Sequence, residues 1–277
     1  MSGARLSWAG TAGGLFLAVV TWALLASRAL ALASDTGGPN ISGIAYNQHL
    51  TGTLPLAAGF QDQSGRMLAL RDVVRDRPTV LALGYFNCPS LCGLIRDDLF
   101  ASLAQTGLHA GTDYRLVFMS IDPAERPADA ARAMASDLKA NPSFGSGSGW
   151  HFLTGDRDSI EAVEAAVGYH SRYDVSLKQF IHPAGLVFVT SRGVISGYLL
   201  GIGYQAGDVR AGVLRARNGG IAKAALQVLL ICFHYDSTTG RYSLAVVKLL
   251  RLGAGLTMLT IVALLLVLRR RMRRLAG

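Results

Sequence analysis

Two long uncharged runs of hydrophobic residues bracket the chain, and between them short apolar runs alternate with helical stripes. In the middle, Pro55 to Asp62 reads as an early strand and Gln63-Ser64-Gly65 as a turn. Thr79 to Tyr85 is nearly continuous in apolar residues, the pattern of a strand covered on both faces. After Asn87-Cys88-Pro89 the period changes. Leu91, Ile95, Leu99 and Leu103 recur every four residues and predict one apolar helical stripe that ends at Gly107. Tyr114 to Ile121 predicts a second buried strand closing at Asp122-Pro123. Pro127 opens another helix with Ala131, Met134 and Leu138 on one face. A Gly/Ser-rich loop over Asn141 to Gly149 leads to a short strand, Trp150 to Leu153. Ile160, Val163 and Val167 mark a further helix. Gly185 to Thr190 and Val194 to Leu200 predict two strands joined by Ser191-Arg192-Gly193, a hairpin signal. A last helix is expected to carry Ile221, Ala224, Ala225, Val228, Leu229 and Cys232 on one face. Strand–helix–strand–helix followed by a hairpin and a helix is the order of a thioredoxin-like α/β domain, a mixed sheet flanked by helices.

The two ends carry a different message. Trp8 to Ala26 is uncharged, Arg5 precedes it, and Ala31-Leu32-Ala33 follows, so residues 1–33 read as a signal peptide or an N-terminal anchor. Leu252 to Leu268 is an uncharged run of 17 residues, which as a helix spans about 26 Å. Arg269-Arg270-Arg271-Met272-Arg273-Arg274 follows it as a positive-inside stop. The expected organisation is a lead-in over 34–53, a thioredoxin-like domain over 54–236, a transmembrane helix over 244–268 and a cytoplasmic basic tail over 269–277. That topology places the domain on the periplasmic side of a bacterial inner (cytoplasmic) membrane.

Charge is informative through its distribution. The formal net charge is +9, yet seven arginines sit at the two apolar ends. Without them, 20 basic residues face 18 acidic ones, so the middle domain is nearly neutral and nucleic acid is not an expected partner.

Chemistry concentrates where the first buried strand gives way to a helix. Cys88 and Cys92 stand there in a C-x-x-x-C spacing, and free N–H groups with the positive end of the helix dipole lower a thiol pKa at such a place. On a helix, i and i+4 share a face, so the two sulfurs are able to hold one ligand or pair as a redox disulfide. Two soft thiolates favour Cu(I), with Zn also admissible; two buried structural cysteines, or a plain structural disulfide, are the other readings. His182 precedes the strand near Gly185. In a thioredoxin-like sheet that strand runs antiparallel to the one leading to Cys88, which makes His182 a candidate third ligand. Pro183 stands near the thioredoxin cis-proline position. Asp122 reads as a residue of the turn into the next helix, or as an acid behind the ligands. Cys232 reads as a buried free thiol, and Cys232-Phe233-His234 is only a thin metal signal.

Taken with the segments Gly84-Tyr85-Phe86-Asn87-Cys88-Pro89-Ser90-Leu91-Cys92, Ser120-Ile121-Asp122-Pro123, Phe152-Leu153-Thr154-Gly155 and His182, the chain resembles the Sco/SenC copper chaperones of cytochrome c oxidase assembly over roughly Leu54 to Leu200. The resemblance implies a thioredoxin fold and Cu(I)/Cu(II) binding by Cys88, Cys92 and His182. It also implies thiol–disulfide activity toward an oxidase subunit or another cuproprotein client. The sequence departs from that family at Gly93, where many members have proline, and at Asp122-Pro123-Ala124-Glu125-Arg126-Pro127, which lacks the usual Arg-Asp-Thr. A C-terminal rather than N-terminal anchor points to a bacterial Sco-like subgroup. A thiol–disulfide oxidoreductase without a stable metal is the second functional expectation; there Cys88 attacks and Cys92 resolves.

Overall fold

The computed structural model describes residues 42–88 and 92–224, with scattered positions between 253 and 272; the side chains of residues 92–95 lie outside that description. The strands are β1 (Ala45–Tyr46), β2 (Gly59–Gln61), β3 (Met67–Ala69), β4 (Thr79–Gly84), β5 (Arg115–Ser120), β6 (Trp150–Leu153), β7 (Tyr169–His170), β8 (Arg172–Asp174), β9 (Gln179–Ile181), β10 (Gly185–Val189) and β11 (Ile195–Leu200). The helices are α1 (Leu70–Val74), α2 (Cys92–Ala104), α3 (Pro127–Ala140), α4 (Arg157–Val167) and α5 (Ala206–Arg217).

The central sheet has the order β11-β10-β4-β5-β6. β4, β5 and β6 are parallel, whereas β10 is antiparallel to both β4 and β11. This is the mixed sheet of a thioredoxin-like domain. The apolar runs become intelligible here, because each strand sends alternate side chains to opposite faces and both faces are covered. From β4, Leu81 and Leu83 enter one core with Val73 and Val74 of α1 and Ile160, Val163 and Val167 of α4. Val80 and Ala82 enter the other with Leu99, Phe100 and Leu103 of α2 and Val209 and Val213 of α5. The second core is anchored by Phe100, whose ring stacks on Trp150 at 4.4 Å and 12°.

Local signals explain the boundaries. Arg126 precedes α3, Pro127 sits in its first turn, and Asp129 accepts the Arg126 N–H at 2.7 Å. Asp156 caps α4 by accepting the Ser159 N–H at 2.8 Å, and Gly168 closes that helix with φ 64°.

Several expectations need correction. The early strand is shorter, β2 alone, and forms a small hairpin with β3. The buried side of α3 is Ala130, Ala133 and Asp137, with Met134 and Leu138 partly buried beside it. Its face is therefore centred on positions that include a carboxylate, which a hydrophobic pattern does not count. The helix that closes the domain is α5, over 206–217. Gly212 in it lies so close to Phe188 that a Cβ would stand 2.4 Å from the ring. Its sequence is too rich in arginine and glycine to show a clear stripe. Residues 221–224, expected to begin the last helix, are not helical, and the rest of that segment, with Cys232 and His234, lies outside the described residues. The hairpin of β8 and β9 was not expected at all.

Most of the expected span over 244–268 also falls outside the described residues; those described between 253 and 265 are helical. Among the described residues, no helix is long and apolar enough to cross a membrane.

Candidate metal and redox site

β4 ends at Gly84 and hands the chain to Tyr85-Phe86-Asn87-Cys88. β10 begins at Gly185, directly after His182-Pro183-Ala184. Register decides what meets: Leu186 pairs with Ala82 and Val189 with Thr79. The start of β10 thus lies at the end of β4, as the antiparallel expectation required. A Cβ on Gly84 would stand 3.8 Å from His182 Cε1, so the imidazole rests against the last residue of the strand that leads to Cys88.

His182 is 5% exposed. Its Nδ1 lies 3.1 Å from the Pro183 carbonyl oxygen, a contact that suits an N–H at Nδ1 and leaves Nε2 as the basic atom. Burial pulls its pKa below the usual imidazole value, and the Pro183 carbonyl opposes that only partly. A neutral imidazole is the form that binds a metal. Tyr85 and Tyr169 flank the ring, with centroids 5.8 Å and 6.3 Å away. A cavity of about 50 Å³ opens beside it, lined by Gly84, Tyr85, Phe86, Arg96, His182 and Tyr204, among others. The peptide before Pro183 is not cis, nor is any other among the described residues.

Cys88 is half-buried and packs against the core that contains Tyr85. It is disulfide-bonded. It has no regular secondary structure, and α2 runs from Cys92. Cys88 itself is therefore not helical, and residues 89–91, which join it to Cys92, lie outside the described residues. The N–H groups of Phe86 and Asn87 turn toward the Glu125 carboxylate, at 2.9 and 2.6 Å. No group of three potential His, Cys, Asp or Glu ligands is assembled among the described residues, a set that does not include the Cys92 side chain.

Glu125 escaped the reading of the sequence. It is 4% exposed, and burial raises its pKa while the two N–H groups and the Ser120 hydroxyl oppose the rise. The only signal was an acid just before a helix, and nothing local told which chain segment it would hold. Arg96 was also missed. It donates to Asp137 on α3 at 2.8 Å, in a pair whose side chains are 14% and 5% exposed. Its position four residues after Cys92 was the available clue. Asp122 accepts the Ala124 N–H at 2.8 Å and serves the turn into α3. The remaining described histidines bond elsewhere or sit on β6: His49 contacts the Ala166 carbonyl, His170 contacts Asn47, His109 lies near Asp113, and His151 belongs to β6.

A strand leading into a cysteine turn, a helix after it, and a buried histidine just before the neighbouring antiparallel strand are arranged on the mixed sheet of a thioredoxin-fold domain. The SCO1/SenC family model matches residues 59–207, more than half of the chain, and the chain belongs to that family. Two Aquifex aeolicus VF5 crystal structures, of proteins described as candidates for electron transfer or transport, share the fold. One has 20% identity and a TM-score of 0.55, covering 61% of this chain and 95% of its own. The other has 20% identity and a TM-score of 0.52, covering 61% and 99%. Arabidopsis thaliana ScoI, crystallised with copper bound, is 15% identical with a TM-score of 0.48 over 61% of this chain and 99% of its own. No curated protein matches the chain.

Proposed function

We propose that this SCO1/SenC-family chain handles copper for the assembly of a respiratory cytochrome oxidase copper site, by delivering the ion, by reducing client cysteines, or both. Copper is cargo in this reading. Cys88 and Cys92 supply the soft thiolates that favour Cu(I), and His182 supplies the imidazole that extends the site to Cu(II). The observation that carries it is the register of β10 on β4, which brings a buried imidazole against Gly84 at the entrance to the cysteine turn. The half-buried position of Cys88 leaves room for exchange onto a client's thiolates. The domain faces the periplasm in this proposal, held to the inner membrane by the C-terminal apolar run.

The disulfide at Cys88 favours a second reading, a thiol–disulfide oxidoreductase without stable metal. Copper binding by the fully reduced protein, in competition with a Cu(I) chelator, separates the two. The copper reading expects one tightly held ion per chain, lost in Cys88→Ser. His182→Ala weakens Cu(II) binding strongly while the disulfide still forms. No competitive binding by the reduced wild type, together with a readily reducible disulfide, selects the oxidoreductase.

A further inference from the structure

We propose that Glu125 is the positioning residue of the cysteine site: its carboxylate fixes the two peptides that precede Cys88, and the charge held there biases the cysteine pair toward the disulfide. The proposal rests on the reading above, in which Cys88 and Cys92 form the redox pair.

Three donors converge on one buried side chain. Glu125 Oε1 accepts the Asn87 N–H at 2.6 Å, and Oε2 accepts the Phe86 N–H at 2.9 Å and the Ser120 hydroxyl at 2.6 Å. Both oxygens act as acceptors, which is what an ionised carboxylate does. The same segment grips the turn a second time. Arg132 donates to Asn87 Oδ1 at 3.5 Å, and Asp129 takes a hydrogen bond from the Asn87 side chain. The Phe86 ring, stacked on Phe152 at 5.6 Å, holds the other side. Cys88 is the next residue along, so its backbone direction follows from peptides tied to the start of α3 across the fold.

The charge has a separate consequence. Among the described residues, no basic side chain forms an ion pair with Glu125. N–H and O–H dipoles stabilise the carboxylate without cancelling its charge. The two N–H groups it occupies are also withdrawn from any thiolate at Cys88. Reduction by two glutathione molecules breaks the S–S bond of the pair, moves two electrons and two protons to its sulfurs, and forms one glutathione disulfide. Where the Cys88 thiol formed in that step gives up its proton, the thiolate stands on the residue next to the peptides that hold the charged carboxylate, and the disulfide does not carry that repulsion. Removal of the charge shifts the equilibrium toward the dithiol by about tenfold, or about 30 mV for a two-electron couple.

The test uses the full chain in detergent micelles, equilibrated with glutathione buffers. Alkylation and mass spectrometry read the Cys88–Cys92 state, and amide hydrogen exchange reads the peptide that contains Phe86 and Asn87. Glu125→Gln keeps the shape but presents an amide N–H₂ to one of the donors. It is expected to favour the dithiol about tenfold and to speed exchange at the two amides at least as much. Glu125→Asp keeps the charge on a shorter arm; it should hold the equilibrium near wild type while exchange still accelerates. Equal equilibrium constants in wild type and Glu125→Gln overturn the charge effect, and equal exchange rates overturn the positioning role. A wild-type protein with no glutathione-reducible Cys88–Cys92 bond overturns the underlying reading instead, before any variant is made.

Discussion

Removing the acceptor from the Arg96–Asp137 pair should unfold the domain more readily than any surface change, because it leaves a guanidinium stranded. The two groups meet at 2.8 Å, 14% and 5% exposed, between the helix that follows the cysteine turn and α3. Burial raises the pKa of Asp137 and the Arg96 charge opposes it, so the attraction offsets part of the desolvation penalty. In Asp137→Ala that offset is gone, and breaking one side of a buried pair costs about 3–5 kcal/mol. For a domain of this size that lowers Tm by about 10 °C. Replacing both partners with apolar residues of similar volume removes the stranded charge, so Arg96→Met with Asp137→Leu should lie within about 1 kcal/mol of wild type. Urea denaturation of the oxidised protein, with the double-mutant cycle completed by Arg96→Met and Asp137→Leu as single variants, measures all four corners. If the double variant were as unstable as Asp137→Ala, the loss would come from packing and the electrostatic argument would fail. Arg96 also lines the cavity beside His182, so Asp137→Ala should disturb the His182 ring signals, whereas a change on a remote helix should not.

His151 offers a pH test. Burial, helped by the Arg115 and Arg66 guanidinium groups and opposed by Asp62, lowers its pKa to about 4 from the usual imidazole value of 6.5. The unfolded chain takes up a proton near pH 6.5 and the native one only near pH 4, so stability falls as pH drops across that window. Allowing for partial exposure, the loss is about 2 kcal/mol, and His151→Gln should flatten that part of the stability–pH curve. An unchanged slope in the variant would show that other groups carry it. Asp62, whose pKa is lowered despite its burial by bonds from Ser64 and Arg66, acts separately, below the ordinary carboxylate range. Gly212 gives a packing test: a methyl there meets Phe188 at 2.4 Å, so Gly212→Ala should destabilise by about 1–3 kcal/mol despite its better helix propensity. Equal or greater stability in thermal denaturation would mean that α5 shifts away from the sheet at little cost.

Much of this protein is determined locally and was legible in the sequence. Thr79 to Gly84 and Arg115 to Ser120 are apolar on both sides of the strand, and that composition alone calls for a buried, two-faced sheet. Pro127 marked a helix start by its fixed φ, and Ser191-Arg192-Gly193 marked a tight turn, with Gly193 at φ 79°. Cys88, Cys92 and His182 stood out as candidates by residue type, and strand order put His182 against the end of β4. What the sequence did not contain was decided by contacts across the fold. α5 buries only small residues and valines between arginines, so its helix is defined by the sheet beneath it. The inward side of α3 includes Asp137, a polar residue that becomes internal only because Arg96 reaches it from another helix. Glu125 lies 37 positions beyond Cys88, yet it holds the turn that presents that sulfur. Hydrophobic periodicity records which face of an element avoids water. A buried charge obeys a different rule, since it is stable only where distant donors converge on it, and that convergence exists only once the chain has folded.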